Sequence, residues 1–380
     1  MPTCRATGLV YSNPQPHLRA IHAWHPTIIA LDDEEFLCAF DLGQAPESLD
    51  YRTYVSRSLD AGKTWSPPVR LFEDPVERPS THTVRIARLL DGSLVGFGAR
   101  LYRDDPEAGL TNRLNFGFVP MDLILLRSFD RGKSWQGPTK ITPSIDGPAF
   151  EICHAIVELH DGRWLAPTQT WPDWSGAAPN GMRAIALVSH DRGRSWPEHL
   201  EEIDGNSRHV IHFEQSLTQL PDGRLLAVAW AYDSKSHRTL PTPYVVSEDG
   251  RTFGPPLETG LFAQTMKIRA LSDGRILCVY RRNDQPGLWA TVARLEGNAW
   301  INLAETLLWE GSASGMTGQG STGDKLSALK FGFPSLQQLP SGDVMVVFWC
   351  EEDGLKVIRW FRLALAREAS LPTPSRAASQ

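Results

Sequence analysis

Apolar and polar residues alternate in short runs along most of the chain, and tight turns join the runs. One arrangement recurs six times: an alternating run, a turn of the Asp-Gly type and a second apolar run. The copies are IIALDDEEFLCAF at 28–40, ARLLDGSLVGFGAR at 87–100, VELHDGRWLAP at 157–167, TQLPDGRLLAVAW at 218–230, RALSDGRILCVY at 269–280 and QQLPSGDVMVVFW at 337–349. Such alternation around Asp-Gly is a strong signal for a β-hairpin. The regular spacing predicts six units of about the size of a propeller blade.

A second repeat lies between the hairpins, each time directly after a β-rich run. It reads SLDAGKTW at 58–65, SFDRGKSW at 128–135 and SHDRGRSW at 189–196, with a shortened copy, SEDGRTF, at 247–253. The aspartate can accept hydrogen bonds from backbone amides across a turn, the glycine supplies a positive φ, and the tryptophan packs into the sheet. The repeat therefore predicts a turn that ends one strand and begins the next.

These repeats match the Asp-box, S-x-D-x-G-x-[ST]-W, and on them the chain resembles the sialidase-like superfamily of BNR (Asp-box) β-propellers. The resemblance implies an all-β fold, a six-bladed β-propeller with four antiparallel strands in each blade. The last hairpin is followed by only one more strand, so the segment around Ala6–Tyr11 is expected to close the ring by pairing with the C-terminal strand. We expect one domain over 1–370 and a disordered Pro/Ser/Ala-rich tail over 371–380.

Composition excludes several classes of partner. The net charge is -6 and the isoelectric point is near 6.0, which argue against nucleic acid or an anionic membrane as the main partner. No apolar run is long enough to span a membrane, and no signal-peptide pattern is present, so a cytoplasmic location is expected. The 5 cysteines are dispersed without CxxC spacing and predict free thiols. Neither a metal site nor a cofactor is expected, and the oligomeric state stays open.

The hairpin turns also predict where chemistry is placed. The first strand of each hairpin is expected to be the innermost strand of its blade, and the residue eight positions before the turn marks where that strand begins. These starting points meet at one end of the propeller axis. These positions are His25, Thr83, Cys153, Glu214, Thr265 and Phe333. Glu151 stands two residues before one entrance, so Glu151 and Glu214 are expected at the mouths of adjacent blades. Two carboxylates across one pocket are what glycoside hydrolysis requires, although both could equally be solvated loop residues.

The resemblance to sialidases implies further site residues. Their fourth blade opens with a glutamate that assists catalysis, and FEQSLTQLPDG keeps it as Glu214. Their general acid is an aspartate in the loop after the first hairpin, for which DLGQAPESLDYR offers Asp41, Glu47 and Asp50, with Asp50 as the preferred candidate. Arg281 or Arg282 could replace the third arginine that binds the sialic-acid carboxylate.

The chain departs from the sialidase pattern at three other places. His25 stands where sialidases have their first arginine, and Trp230 stands where they have their second. Phe333 occupies the position of the nucleophilic tyrosine, and a phenyl ring cannot act as a nucleophile. We therefore expect a sialidase-like, exo-acting glycoside hydrolase that removes terminal sugars from an oligosaccharide or glycoconjugate and is not a true sialidase. The exo-acting arabinan hydrolases resemble the chain in taking two catalytic glutamates from neighbouring blades.

Histidines near the blade entrances favour a second hypothesis, a uronate-directed polysaccharide or oligosaccharide lyase. His25, His154 and His212 could each abstract the proton next to a uronate carboxylate, which Arg85 or Arg281 would neutralise. These histidines could instead be hydrogen-bonded loop residues.

A third hypothesis is a glycan-binding propeller without catalytic activity. Trp171, Trp174, Trp230 and Trp349 follow second strands and could stack against sugar rings, or they could pack between blades. All three hypotheses have a carbohydrate as the partner.

Overall fold

The structure is a computed structural model that describes residues 1–73, 77–282, 284–311 and 329–366. Within these ranges the chain forms six antiparallel sheets, which are the blades of a six-bladed β-propeller. The predicted fold class is therefore confirmed. The tail predicted at 371–380 lies outside the described residues.

Each blade has four strands across its width, and in blades 3 and 4 one strand position is divided into short segments. The strands of the first half of the chain are β1 (Pro2–Tyr11) in blade 6; β2 (His22–Ala30), β3 (Phe36–Gly43), β4 (Arg52–Ser58) and β5 (Val69–Arg70) in blade 1; β6 (Ser80–Arg88), β7 (Leu94–Tyr102), β8 (Met121–Ser128) and β9 (Gln136–Ile141) in blade 2; and β10 (Ala149–Glu151), β11 (Val157–Glu158), β12 (Trp164–Trp171), β13 (Arg183–Ser189) and β14 (Glu198–Asp204) in blade 3.

The second half continues the same order. Its strands are β15 (Val210–Gln219), β16 (Leu225–Asp233), β17 (Arg238–Thr239), β18 (Pro243–Ser247) and β19 (Leu257–Glu258) in blade 4; β20 (Ala263–Ala270), β21 (Ile276–Arg282), β22 (Leu288–Glu296) and β23 (Ala299–Trp309) in blade 5; and β24 (Phe331–Gln338), β25 (Val344–Glu352) and β26 (Leu355–Leu365) in blade 6. The one helical element in the described ranges is a 3-10 turn at Asn206–Arg208. No helix in this part of the chain is long and apolar enough to span a membrane.

The N-terminal strand closes the ring, as the sequence predicts. β1 pairs antiparallel with β26, from Pro2 opposite Leu365 to Tyr11 opposite Ile358. Blade 6 therefore takes its outermost strand from the start of the chain and its other three from the end. This pairing joins the two ends of the propeller and covers the open edge that β26 would otherwise expose.

The Asp-boxes form tight turns between the third and fourth strands. In the first box, Ser58 Oγ accepts the backbone N–H of Gly62 at 2.9 Å, and Asp60 accepts the N–H and hydroxyl of Thr64 at 2.9 and 2.7 Å. The boxes at 128–135 and 189–196 repeat these bonds. Ala61 and Gly62 have φ of 60° and 88°, which is why the position at Gly62 favours glycine. The turn therefore follows from the motif itself.

The hydrophobic core is divided among the contacts between neighbouring blades. Between blades 1 and 2, for example, Leu37, Val84 and Ile124 belong to one buried cluster. Five further clusters fill the other blade contacts around the ring. Because each blade buries both of its faces in this way, the near-continuous apolar runs of the inner and second strands are explained.

Trp360 offers a test of ring closure, since it lies on β26 beside β1 and is only 4% exposed. An added Cβ at Gly8 of β1 would stand 2.9 Å from its indole nitrogen, and an added Cβ at Gly62 of blade 1 would stand 3.2 Å from its ring. Replacing Trp360 with alanine should lower the free energy of unfolding by about 3–5 kcal/mol, because it empties a buried contact between the ends of the ring. Trp174→Ala, at a ring that is 37% exposed, is the matched control and should cost under about 1 kcal/mol. Equal losses in urea denaturation would contradict this closure.

Candidate active site at the mouth of the ring

The inner strands of four blades carry a bulge close to the point where they enter the ring. The pairing between inner and second strand shifts register there. The bulged residues with left-handed φ are His25 (48°), Glu214 (47°), Thr265 (52°) and Phe333 (50°). They are four of the six entrance positions that the turn spacing marks. A bulge re-aims side chains out of the regular alternation, which allows them to converge at the mouth.

Two long cationic side chains hold the bulge carbonyls in place. Arg85 Nη1 donates to the carbonyl oxygen of His25 at 3.0 Å. Lys267 Nζ donates to the carbonyl oxygens of Glu214 at 3.1 Å and Gln215 at 2.9 Å. Both cations stand two residues after an entrance, and each reaches back to the preceding blade. The sequence prediction included Arg85 but missed Lys267, which this two-residue spacing could have found.

The phenyl ring of Phe333 lies between these cations. The Arg85 guanidinium carbon is 4.7 Å from the ring centroid, and Lys267 Nζ is 4.9 Å from it. The imidazole of His25 meets the same ring edge-on at 5.1 Å. Blades 1, 2, 5 and 6 are thus joined at the floor of the mouth through one aromatic ring, and cations over its face are stabilised by its quadrupole.

The two glutamates that the sequence predicts as a pair are in contact. The backbone N–H of Glu214 donates to Oε2 of Glu151 at 3.0 Å, so adjacent blades bring them together. Burial raises the pKa of Glu151 to about 8, and the Glu214 carboxylate adds to the rise. The Glu214 Oε2 atom is buried and has no hydrogen-bond partner among the described residues. At neutral pH the pair therefore combines a protonated Glu151 with a buried carboxyl oxygen of Glu214 that has no hydrogen-bond partner in the described chain.

Lys267 supplies the nearest positive charge to this pair. Burial lowers the pKa of Lys267, while Cys153, Glu214 and Glu151 act in the opposite direction. An ammonium group close to two carboxyl groups favours an ionised form in at least one of them. A protonated Glu151 beside a second carboxyl group and an ammonium group is a setting in which acid and base roles can be divided.

A buried carboxylate anchors the opposite side of the mouth. Asp41 is fully buried and accepts hydrogen bonds from Tyr51 at 2.8 Å, Thr53 at 2.6 Å and Thr83 at 2.7 Å. Arg85 Nη1 lies 3.2 Å from Asp41 Oδ2. Burial alone would raise the pKa of Asp41, but the positive charge of Arg85 and the hydrogen bonds outweigh it and hold the pKa well below its usual value. Asp41 is therefore a permanent negative charge in the blade contact.

This network fixes the tautomer of His25. Tyr51 has one hydroxyl proton, and the geometry directs it to Asp41. The 2.6 Å contact between Tyr51 Oη and His25 Nδ1 then has the imidazole as donor. His25 Nε2 is left as the acceptor, on a side chain that is 31% exposed. Such a nitrogen can act as a base.

Asp50 lies in the exposed loop between β3 and β4, apart from the network around Asp41. Its carboxylate accepts hydrogen bonds from the backbone and side chain of Gln44 at 3.1 and 3.3 Å and from Ser48 at 2.5 Å. Burial opposes ionisation, but these bonds lower the pKa of Asp50. No contact joins it to Glu151 or Glu214 in the described chain, so its visible role is to shape the loop.

The two candidate arginines of blade 5 point in different directions. Arg281 is buried, donates to the carbonyl oxygen of Phe331 at 2.6 Å, and keeps Nη2 without a partner among the described residues. Burial lowers the pKa of Arg281 to about 10, and the negative charge of Glu214 opposes the shift. Arg282 instead pairs with Asp284 at 2.5 Å and Glu305 at 2.9 Å, toward the outer strands. Only Arg281 is therefore close to the mouth.

His154 and His212 are both held in buried surroundings. Burial and the charge of Lys267 lower the pKa of His154 to about 3. Its Nδ1 hydrogen-bonds the carbonyl oxygen of Ala155 at 2.8 Å. Burial lowers the pKa of His212 to about 4, and its Nδ1 has no partner among the described residues. Both imidazoles are neutral at physiological pH, and neither contacts Glu151 or Glu214 in this part of the chain.

Three of the four predicted tryptophans lie in the protein interior. Trp171 and Trp230 are buried in one aromatic cluster, where both contact Phe213. Trp349 is buried in the contact between blades 6 and 1. These positions favour packing over sugar stacking. Trp174, next to Trp171 in sequence, is the exposed ring of this loop.

A metal site has no support in the described residues, where no group of three His, Cys, Asp or Glu side chains is arranged to hold an ion. The site consists of ionisable side chains, one aromatic ring and backbone carbonyls. These groups can take part in proton transfer and in carboxylate chemistry.

Comparison with known proteins agrees with this architecture. The chain superposes on a protein of unknown function from Dyadobacter fermentans with a TM-score of 0.72 at 21% identity, covering 96% of this chain and 99% of that one. The superposition on the Hadza microbial sialidase Hz136 has a TM-score of 0.65 at 17% identity, covering 90% of this chain and 65% of that one. An α-L-arabinanase from Penicillium chrysogenum, solved with arabinobiose, gives 0.65 at 15% identity, covering 95% and 98%. Among curated proteins, none is significantly similar in sequence.

The class that the fold and its turns define is the sialidase-like six-bladed propeller with Asp-boxes. The model of the BNR repeat-like domain matches residues 115–346. The chain belongs to this family. The identities to solved structures are low, so these likenesses establish the fold alone.

The raised pKa of Glu151 predicts how stability depends on pH. As the pH rises, the unfolded state loses the Glu151 proton at the usual pKa of a glutamate, whereas the folded state keeps it up to about pH 8. The contribution of this group to stability is therefore complete below its usual pKa and is lost as the pH rises to about 8. Glu151→Gln should therefore lose less stability than the parent between about pH 5 and pH 9. The check is urea denaturation across that range, with Glu248→Gln, at an exposed surface carboxylate, as the control. Parallel pH profiles for all three proteins would show that the pKa of Glu151 is not raised in the folded state.

Proposed function

We propose that the protein is an exo-acting glycoside hydrolase that removes terminal sugars from an oligosaccharide or glycoconjugate. The observation that carries the proposal is the hydrogen bond from the backbone N–H of Glu214 to the Glu151 carboxyl group, which joins two glutamates of adjacent blades. Paired carboxyl groups with different protonation states are the usual machinery of glycoside hydrolysis. The likeness to sialidases and to an α-L-arabinanase supports a carbohydrate substrate.

Glu151 takes the role of the general acid. Its pKa is raised to about 8 by burial and by Glu214, so it carries a proton at neutral pH. In the proposed reaction this proton passes to the glycosidic oxygen as the bond to the anomeric carbon breaks. The leaving group departs as an alcohol, and Glu151 becomes a carboxylate that Lys267 can stabilise.

Glu214 acts on the opposite side of the anomeric carbon. Its Oε2 atom has no protein partner among the described residues, and Lys267 holds its backbone in the bulge. As a carboxylate it either attacks the anomeric carbon or takes a proton from the attacking water. The two roles differ in the stereochemistry of the product, which NMR of the first product formed distinguishes.

True sialidase activity is not part of the proposal. Phe333 offers no hydroxyl nucleophile, and its ring is covered by Arg85, Lys267 and His25. Trp230 is buried and cannot form the bidentate contact that an arginine makes with a carboxylate.

Replacing either glutamate by glutamine should lower kcat on the best substrate of an aryl glycoside panel by about 10²–10⁴-fold, because each change removes a proton-transfer or nucleophilic group. The measurement is initial rates with purified protein, after circular dichroism shows that the β-fold is kept. Glu248→Gln removes an exposed carboxylate and should keep full activity.

An active Glu214→Gln enzyme would end this mechanism. If the parent protein turns over no glycoside on the panel but binds glycans on an array, the chain is a binding module, and the proposal fails in a different way.

A second candidate is a uronate lyase, and the bond between His25 and Tyr51 favours it. His25 Nε2 is the free acceptor of an oriented imidazole, with the Arg85 guanidinium bonded to the same residue's carbonyl. In this reaction Nε2 would take the proton next to the uronate carboxylate. The bond to the leaving sugar then breaks as the double bond forms, and the leaving oxygen takes a proton from water to depart as an alcohol.

Two variants distinguish the lyase from the hydrolase. For a lyase, Tyr51→Phe should reduce the rate by about 10²-fold or more, since it breaks the chain that orients His25. Glu151→Gln should then have little effect. The readout is the ultraviolet absorbance of the unsaturated product formed from uronate-containing oligosaccharides. If the absorbance does not change with such substrates, the lyase is ruled out and the hydrolase remains as the proposal.

A further inference from the structure

A cavity of about 650 Å³ lies along the axis beneath the mouth. Phe333 and Lys267 line its upper end, and the hairpin-turn residues Leu90, Ser272 and Pro340 line its lower end. It is therefore distinct from the place where Glu151 and Glu214 meet, neither of which lines it. Nothing in the proposed hydrolysis uses this space.

Arg269 is among the residues that line this cavity. Its side chain is partly exposed, and desolvation lowers the pKa of its guanidinium below the usual value. Among the described residues it forms no hydrogen bond and no ion pair. A guanidinium stays protonated at every accessible pH, so Arg269 keeps a positive charge at the cavity.

The position of Arg269 within its strand makes the charge specific. It stands four residues after the entrance of blade 5. The corresponding residues of the other inner strands are uncharged: Ile29, Ala87, Val157, Thr218 and Gln337. The fold of an inner strand therefore does not require a cation at this depth.

The other charged groups around the cavity leave a positive excess. Arg88 lines it and donates to the carbonyl oxygens of Ala30 and Leu31, without an ion pair. Glu158 is the one acidic side chain in the described lining, and it is already bonded to the N–H of Leu90 and the indole of Trp164.

His154 adds a polar atom to the same cavity. With Nδ1 bonded to a carbonyl oxygen, its Nε2 has no hydrogen-bond partner in the described chain and can accept the proton of a protonated oxyanion. Arg269 and Lys267 both act on this imidazole electrostatically, which places the three groups in one field.

We propose that the axial cavity is a binding site for a small inorganic oxyanion of the phosphate class, held by Arg269 and His154. The guanidinium offers a planar fork to two oxygens. Hydrogen phosphate can in addition donate its proton to His154 Nε2. The cavity is large enough for the ion with part of its water shell.

The test measures thermal stability at constant ionic strength in sodium phosphate, sodium acetate and sodium chloride. Phosphate should raise the Tm of the parent protein by a few degrees, since a ligand of the folded state stabilises it. Arg269→Gln should abolish that rise, and Arg269→Lys should keep part of it. Arg275→Gln, on the same hairpin but already paired with Asp273 at 2.6 Å, should respond like the parent.

A crystal soaked in arsenate, which carries a proton as hydrogen phosphate does, supplies the independent readout, with an anomalous peak expected beside Arg269. If acetate or chloride stabilises as well as phosphate, the effect is general screening and the proposal is overturned. An unchanged phosphate response in Arg269→Gln overturns it as well. The glycosidase assay is a separate measurement, so the failure of one proposal leaves the other intact.

Discussion

The inner strands of the ring do not pair with one another, so the backbone groups on their free edges need partners from elsewhere. The chain meets this constraint with side chains of the preceding blade. Thr27 accepts the N–H of Ile86 at 3.2 Å, and Ser216 accepts the N–H of Ile268 at 3.1 Å. Equivalent bonds run from Ile28 to Ser335 and from Phe333 to Thr265. Since an unpaired buried amide costs about as much as a lost hydrogen bond, these contacts fix how each blade sits against the next.

The candidate site grows out of this same constraint. A bulge leaves its carbonyl oxygens without ladder partners, and where the following blade offers a cation instead of a hydroxyl, that cation becomes buried at the mouth. Lys267 and Arg85 are the two cases. A buried cation needs a negative charge nearby, and the carboxylates Asp41 and Glu214 provide it. Backbone satisfaction and site electrostatics are therefore two consequences of the same side chains.

The fold could be predicted from the sequence because its signals are local. Each Asp-box contains its own hydrogen-bond partners within seven residues, and each hairpin turn fixes a register, so the positions of Glu214 and Phe333 followed by counting. The rest depends on contacts between distant segments. Lys267 bonds to residues 52 and 53 positions away, and nothing near it in sequence marks that target. Whether a tryptophan packs or faces a ligand, as for Trp230, depends likewise on the neighbouring blade.

Glu151 raises the question of whether its carboxyl group is structural or chemical, since it accepts the N–H of an entrance residue. A similar bond at the contact between blades 5 and 6 answers part of this question. There the N–H of Phe333 is accepted at 3.0 Å by the hydroxyl of Thr265, which carries no charge. The backbone thus needs an acceptor and not a carboxyl group. A glutamate at this position costs stability at neutral pH or higher, because burial and Glu214 both oppose its ionisation. Buried carboxyl groups with raised pKa values are typical of functional sites, and the proposed hydrolysis would use the proton that Glu151 keeps at neutral pH.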